Sequence, residues 1–339
     1  MPKIVTTRRS LLALAGAAAA GTLISAPRIA RAAQVTLRYG HMNSPTSVVG
    51  EQAQWFADAV AKNTSGALKI EVFPSSQLGS IKELAEGVST GTIALSHNTA
   101  GALSSLYNPM AALDTPYLYR DVDHLMKVVA AGSPVMQYLN KGLIGASGVR
   151  VLYAFYFGTR ELTLNHAVKQ PSDLKGVKVR AIPSPIYLTA VQGLGAVPVP
   201  VDWSEVPTAL ATGVVSGQEN PVNVVLTNKL YEVQSHMMLT GHIKAAELVV
   251  VNEGRWKALS PAFQQAIMKA ADTARARATK TTLDNEGSDR KALAAKGMKI
   301  IGPEQGLKLD LFEKSVKALV DKKFGDKYGK LYAEIAKIA

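Results

Sequence analysis

Hydrophobic and polar positions change period repeatedly along the chain, and each change predicts an element. Val35-Thr36-Leu37-Arg38-Tyr39 alternates apolar and polar, the two-residue period of a half-buried strand. Val49, Ala53, Phe56 and Val60 then recur at steps of four, three and four, which sets them on one helical face with Gly66 as the expected stop. Leu68, Ile70 and Val72 alternate with Lys69 and Glu71, a second strand. Strand, helix and strand with short links predict a βαβ unit with parallel strands. Ser80-Ile81-Lys82-Glu83 has the spacing of a capping box, opening a helix expected to end near Gly91. A short strand over Thr92 to Ser96 and a buried one over Val149 to Phe155 follow.

The second half repeats this grammar. Val177 to Ile182 alternates, setting Arg180 on the opposite face from Val177, Val179 and Ala181 until Pro183 and Pro185 break the run. Ile186 to Leu194 reads as a helix with Gly193 and Gly195 at its end. Val197 to Val201 holds two prolines, hence a short or edge strand. A helix from about Ser204 to Thr212 is stopped by Gly213. Glu83 to Gly91 and Thr208 to Gly217 both read helix, glycine, strand, an echo compatible with two similar α/β lobes. Ser260 is a good helix N-cap and Pro261 a good first residue. From there to about Ala295 no proline occurs and only Gly287 interrupts. Unbroken, that helix spans roughly 50 Å at ~1.5 Å per residue, enough to brace two lobes. The alternative is two helices broken near Asn285-Glu286-Gly287.

Length and composition narrow the class. The 339 residues, 47% of them hydrophobic, suffice for two domains with their own cores. Lys3, Arg8 and Arg9 precede an uncharged apolar stretch from Leu11 to Ile24, and Ala30-Arg31-Ala32 is a small-x-small cleavage pattern. The stretch is shorter than the roughly 20 residues of a membrane span. Residues 1–32 are therefore expected to be an export signal, with the mature chain starting near Ala33 and the protein in the periplasm. Thr7-Arg8-Arg9-Ser10-Leu11-Leu12 resembles a twin-arginine signal, against an ordinary secretion signal with adjacent arginines. Removing the five basic residues of this leader, which has no acids, lowers the formal charge from +12 to +7. The remaining charges are scattered, which argues against nucleic acid. A mild positive field favours anions, and an ordinary basic surface gives the same charge. Without cysteine there are no disulfides, thiolate metal sites or cysteine nucleophiles.

Motifs of catalysis are missing: no Gly-x-Ser-x-Gly, no Walker loop and no His-Glu-x-x-His. Gly193-Leu194-Gly195 leads into Ala196-Val197-Pro198 and is no dinucleotide loop. Asp121-Val122-Asp123-His124 reads as a polar helix start rather than a metal site, and the six histidines have no metal spacing. Neither a cofactor nor a metal is expected. What remains are polar residues near strand ends, where ligands bind in open α/β sheets. Arg160 follows an apolar strand in Gly158-Thr159-Arg160-Glu161, Arg180 lies on a strand cut by Pro183, and Asn220 lies in Gln218-Glu219-Asn220-Pro221. Arginine offers a permanently charged fork that matches a carboxylate, and asparagine both donates and accepts. For each arginine the plain alternative is a surface ion pair.

Several stretches share an order and spacing that resemble a known family. They are Phe73 to Gly79, Gly158-Thr159-Arg160, Asp173 to Arg180, Gly195 to Pro200, Ser204-Glu205-Val206 and Gly217 to Pro221. Over roughly 35–330 the chain resembles the solute receptors of tripartite ATP-independent periplasmic (TRAP) transporters, in the DctP-like group. That resemblance implies an α/β, two-lobe fold of the periplasmic binding protein type II kind, with mixed sheets, crossing hinge strands and a long bracing helix. Lobe I is expected from 33–157 and 246–285, lobe II from 158–245 and 286–315, and a C-terminal helix over 316–339 packing on both.

The resemblance also implies a binding function without catalysis: a small organic acid bound in the cleft, lobe closure, and delivery to a small and a large membrane subunit driven by an ion gradient. Arg180 matches the principal carboxylate-binding arginine and Arg160 a second one. Asn220 matches a ligand-facing asparagine, Trp203 an aromatic wall, and Asn43 a first-lobe contact, with His97 and Asn98 near another. Phe157, Tyr156 and Tyr187 either join Trp203 in lining the pocket or fill the core. Ser216 stands where many relatives have aspartate, and Ser96-His97-Asn98-Thr99 holds no acid, which counts against an amino sugar or a strongly hydroxylated ligand. The acid is left open among a C4-dicarboxylate, a 2-oxo acid, a sugar acid and an aromatic acid. A monomer is the default, with a dimer through the long helix as the alternative. The rival functions are a periplasmic sensor for a signalling partner and a periplasmic enzyme acting on organic acids.

Overall fold

The computed structural model describes residues 34–339 and contains the first βαβ unit as its pattern predicts. Strands β1 (Val35–Gly40) and β2 (Leu68–Phe73) pair in parallel, Val35 opposite Leu68 and Tyr39 opposite Val72. Helix α1 (Val48–Asn63) joins them, with Ser47 Oγ accepting the Gly50 N–H and with Val49, Ala53, Phe56 and Val60 buried along one face. Helix α2 (Ile81–Thr90) opens on a reciprocal cap: Ser80 Oγ accepts the Glu83 N–H, and the Glu83 carboxylate accepts the Ser80 N–H. Its predicted stop, Gly91, takes the left-handed conformation at φ 79° that favours glycine.

Strand β3 (Leu95–Thr99) starts later than the alternation over Thr92 to Ser96 suggests. Thr92 and Ile93 still belong to the helix exit, where the Thr92 hydroxyl and the Ile93 N–H both donate to Gly87 O. The shift sets His97 and Asn98 inside the strand.

Helices α3 (Ala100–Leu103), α4 (Val122–Val128) and α5 (Pro134–Ser147) lead to strand β4 (Val149–Leu164). This strand runs well past the Phe155 end that its apolar run predicts. It is held there by antiparallel pairing, first with strand β8 (His236–Asn252) along its length and then with strand β7 (Gln218–Pro221) over Arg160 to Thr163. Arg160 therefore lies within a strand rather than past its end. The ladder between β4 and β8 shifts register between Tyr156 and Gly158 and between Arg160 and Leu162. Such bulges bend and twist a strand pair. Gly158 has φ 128°, and a Cβ there would sit 2.7 Å from Pro221 Cβ, so only glycine fits this bend.

Strands β5 (Lys178–Ala181) and β6 (Val197–Pro200) pair in parallel around helix α6 (Pro185–Gly193), with the proline-bearing β6 at an edge. The Arg180 N–H donates to Gly217 O at 2.8 Å, which ties β5 to the start of β7. Helices α7 (Val206–Ala211), α8 (Val222–Thr227) and α9 (Glu253–Ala258) fill the connections, and strand β9 (Lys299–Ile301) pairs with the beginning of β8. The main sheet thus has the order β2-β1-β3-β8-β4-β7. One half of the β4–β8 pair carries β1 to β3, and the other half carries β7, β9 and the β5–β6 ribbon. The result is two α/β lobes with mixed sheets sharing two continuous strands.

Helix α10 (Pro261–Ala295) is one unbroken helix of 35 residues, with Ser260 Oγ accepting the Phe263 N–H at its start. Its buried face is built from Ala270, Ala271, Ala274 and Ala278, small enough for close approach to α1 and β4. Helix α11 (Leu309–Lys337) spans from Ser315, whose hydroxyl donates to Gly193 O, to Tyr328, whose hydroxyl donates to Asn108. Asp121 caps α4 by accepting the His124 N–H, and His124 Nε2 meets Ile335 O of α11 at 3.0 Å. Among the described residues no helix is long and apolar enough to cross a membrane. The predicted export signal, residues 1–32, lies outside the described residues.

Candidate functional site

A cavity opens where the bulged part of β4 and β8 meets β3, β5 and β7. Arg160, Arg180 and Asn220 line it from one lobe and Asn43 and Asn98 from the other. Trp203 and Phe157 complete the wall together with apolar side chains such as Met42, Ile182 and Val224. Seven of the nine ligand contacts expected from the sequence thus converge on one space.

Arg180 is 1% exposed, and Val179 and Ala181 beside it are buried too, so both faces of β5 are covered. Its Nε–H donates to Val201 O at 2.9 Å, its Nη2 has no partner in the protein, and its guanidinium carbon lies 5.8 Å from the Trp203 ring centroid. No carboxylate of the described residues pairs with it. Burial lowers its pKa to about 10, with Glu219 opposing the shift and Arg160 adding to it. It remains a cation at neutral pH. A buried charge without a counter-ion is costly and is normally paired.

Arg160 is completely buried but already occupied. Its Nε–H donates to Glu219 Oε2 at 2.5 Å, and its Nη2 donates to Glu219 Oε1 and to the Glu219 carbonyl. Only Nη1 lacks a partner. His242 Nε2 lies 3.0 Å from the same Glu219 carboxylate. Burial pushes the Glu219 carboxyl up, but the Arg160 guanidinium and the His242 hydrogen bond outweigh it and bring it down to about 2. The Arg160–Glu219 pair is therefore close to neutral, and the unbalanced cation in the cavity is Arg180.

Two expected contacts lie a layer behind the cavity. His97 does not line it; its Nε2 sits 2.8 Å from Asn43 Oδ1 and its Nδ1 2.9 Å from the Tyr39 hydroxyl. Burial, with His41 adding, holds His97 neutral by lowering its pKa well below 6.5. A neutral ring donates once, so donation to Asn43 Oδ1 leaves the Asn43 amide N–H groups for the cavity. Tyr187 lies beneath Arg160, 5.0 Å from ring centroid to guanidinium carbon, and its hydroxyl donates to Asp114 Oδ2. Tyr156 turns to helix α10, donating to Glu286 Oε1 at 2.6 Å. Asn98 gives one N–H to Ser96 Oγ and keeps an unpartnered Oδ1. Asn220 donates to Gln218 Oε1.

One acidic wall residue escaped the sequence reading. Glu247, 1% exposed, lines the cavity from β8, in register with Thr99 of β3 and Phe155 of β4. Its Oε2 has no partner, and burial, with Asp114 adding and Arg160 opposing, raises its carboxyl to about 8. A signal was present: it is the lone acid in the apolar run Ala245 to Val251. The cavity wall thus holds an acid that the stretch Ser96 to Thr99 lacks.

The chain matches the family described as bacterial extracellular solute-binding protein, family 7 (DctP), over residues 39–326. It is 38% identical over 240 residues to the 2,3-diketo-L-gulonate-binding periplasmic protein YiaO of Escherichia coli (strain K12), covering 70% of this chain and 72% of that one. It is 32% identical over 265 residues to the C4-dicarboxylate-binding periplasmic protein DctP of Rhodobacter capsulatus, covering 78% of each. Among solved structures it is similar to a TRAP periplasmic solute-binding protein from Roseobacter denitrificans OCh 114 with bound L-galactonate, with a TM-score of 0.84 and 29% identity over 90% of this chain and 99% of that one.

Proposed function

The chain belongs to family 7 of the bacterial extracellular solute-binding proteins, the TRAP periplasmic receptors, and on that premise we propose that it captures a small organic acid through Arg180 and delivers it to the small and large membrane subunits of a TRAP transporter. The observation that carries this reading is the buried, carboxylate-free guanidinium of Arg180 inside a cavity. Because its Nε–H is tied to Val201 O, the acid is taken end-on by the two Nη groups. Two parallel charge-assisted bonds fix orientation as well as affinity. The free Nη1 of Arg160 supplies a further donor, and Trp203 and Phe157 keep water from the pair. The similar proteins named for 2,3-diketo-L-gulonate, C4-dicarboxylates and L-galactonate all take ligands that carry a carboxylate, which supports the same class here.

Contacts from both lobes make closure ligand-dependent. Lobe I comprises 33–157 and 246–285, lobe II 158–245 and 286–315, and they hinge at the bulges around Gly158. A ligand held by Asn43 and Asn98 on one side and Arg180 and Asn220 on the other has contacts in the closed state that the open state lacks, and only that difference shifts the population. Residues 1–32 direct export by the twin-arginine route, and the mature receptor works as a monomer. The test is a thermal-shift screen of organic acids beside their uncharged amides. A ligand at 100 times its Kd stabilises by about 2.7 kcal/mol, so the acids are expected to raise the midpoint and the amides not. Equal shifts from acids and amides contradict the proposal.

A further inference from the structure

The cavity's unmatched groups define its ligand more narrowly than the family does, on the premise that Arg180 holds a carboxylate. With Arg160 neutralised by Glu219, Arg180 is the one cation of the cavity without a paired carboxylate, so with the buried Glu247 carboxyl neutral a single negative charge balances the site. The opposite wall presents unmatched acceptors: Glu247 Oε2 and Asn98 Oδ1, both fully buried. Asn43 adds amide donors beside them, its Oδ1 being held by His97. A second carboxylate on the ligand would bring only acceptors to two acceptors and one extra charge to a site with no cation left. Were Glu247 protonated, its single proton would still leave Asn98 Oδ1 unmatched. A hydroxyl both donates and accepts, so it satisfies these groups in either protonation state of Glu247.

We infer that Glu247, Asn98 and Asn43 form a hydroxyl-recognition subsite, and that the ligand is a hydroxylated monocarboxylate, of the aldonate kind, rather than a dicarboxylate. Glu247 is then the residue that sets specificity, and Arg180 the one that sets affinity for acids in general. A site built to hydrogen-bond a ligand hydroxyl rejects the analogue without it, because its own polar groups stay buried and unpaired.

The experiment is titration calorimetry of the intact mature protein with L-galactonate, D-gluconate and D-erythronate, against hexanoate, butanoate and succinate. At least one hydroxy acid is expected to bind tenfold or more tighter than its deoxy counterpart and than succinate. Glu247→Ala is expected to shrink that ratio to about threefold or less, and Glu247→Gln, which keeps an acceptor, to retain part of it. The wild-type ranking needs no variant and stands as a test even if Glu247→Ala fails to fold. Succinate or a deoxy acid binding as tightly as the best hydroxy acid overturns the subsite. If that same binding is abolished by Arg180→Ala, the carboxylate clamp survives while the subsite does not. Binding by none of the six acids overturns both.

Discussion

Replacing Glu219 by glutamine tests whether the second arginine is balanced from within the protein. Glu219 is wholly buried between Arg160 and His242, and its carboxyl is brought from its ordinary 4.5 down to about 2. A folded-state pKa below the unfolded one adds stability that is fully present above the unfolded value and fades as pH falls toward the folded one. Holding the carboxyl at about 2 instead of 4.5 corresponds to ~3 kcal/mol at neutral pH, at ~1.4 kcal/mol per pH unit. Breaking a buried ion pair by removing one partner costs about 3–5 kcal/mol, a range with the same lower limit. Urea denaturation at pH 7 should therefore show Glu219→Gln less stable than wild type by ~3 kcal/mol. At pH 3 the solution is only about one pH unit above the folded-state value, and the difference should shrink to ~1 kcal/mol. Taking the difference between the two proteins removes the titration of the other carboxyls. A difference below ~1 kcal/mol at pH 7, or one that stays constant between the two pH values, refutes the pairing argument.

Two further outcomes follow from the geometry. Gly158→Ala forces a side chain into φ 128° and against Pro221, so it should lower stability by about 1–3 kcal/mol in the same urea assay. An unchanged midpoint would mean that the bulge relaxes freely. His97→Phe removes the hydrogen bond that holds Asn43 without removing any side chain from the cavity. It should weaken ligand affinity from a few-fold to about tenfold in calorimetry, the size of one neutral hydrogen bond. No change would show that Asn43 is oriented without it.

Elements set by local chemistry were legible in the chain: α1 from its apolar spacing, α2 from Ser80 and Glu83, and the start of α10 from Ser260-Pro261. Gly287 did not break α10, because an exposed glycine costs only about 1 kcal/mol in a helix that packs along its length. The second half of β4 was not legible. Gly158 to Glu161 looks like a turn, and only its long-range partners in β7 and β8 make it strand. The same limit governs the site. Arg180 and Asn220 carried motifs, but a one-dimensional reading cannot tell that Glu219 faces Arg160 across an antiparallel ladder, or that Glu247 looks into the cavity while His97 stands behind it. Alternation set Arg180 apart from its neighbours without revealing that both faces of its strand are covered.

The guanidinium of Arg180 is the most direct object of test. Calorimetry of the tightest-binding acid with wild type, Arg180→Ala and Arg180→Lys compares loss of the charge with loss of the fork alone. Truncation should weaken binding by ~2–5 kcal/mol, roughly thirtyfold to several thousandfold, and lysine should weaken it as well because one ammonium cannot match two oxygens. Undiminished affinity in the alanine variant would contradict the assignment of Arg180 as the acid's anchor.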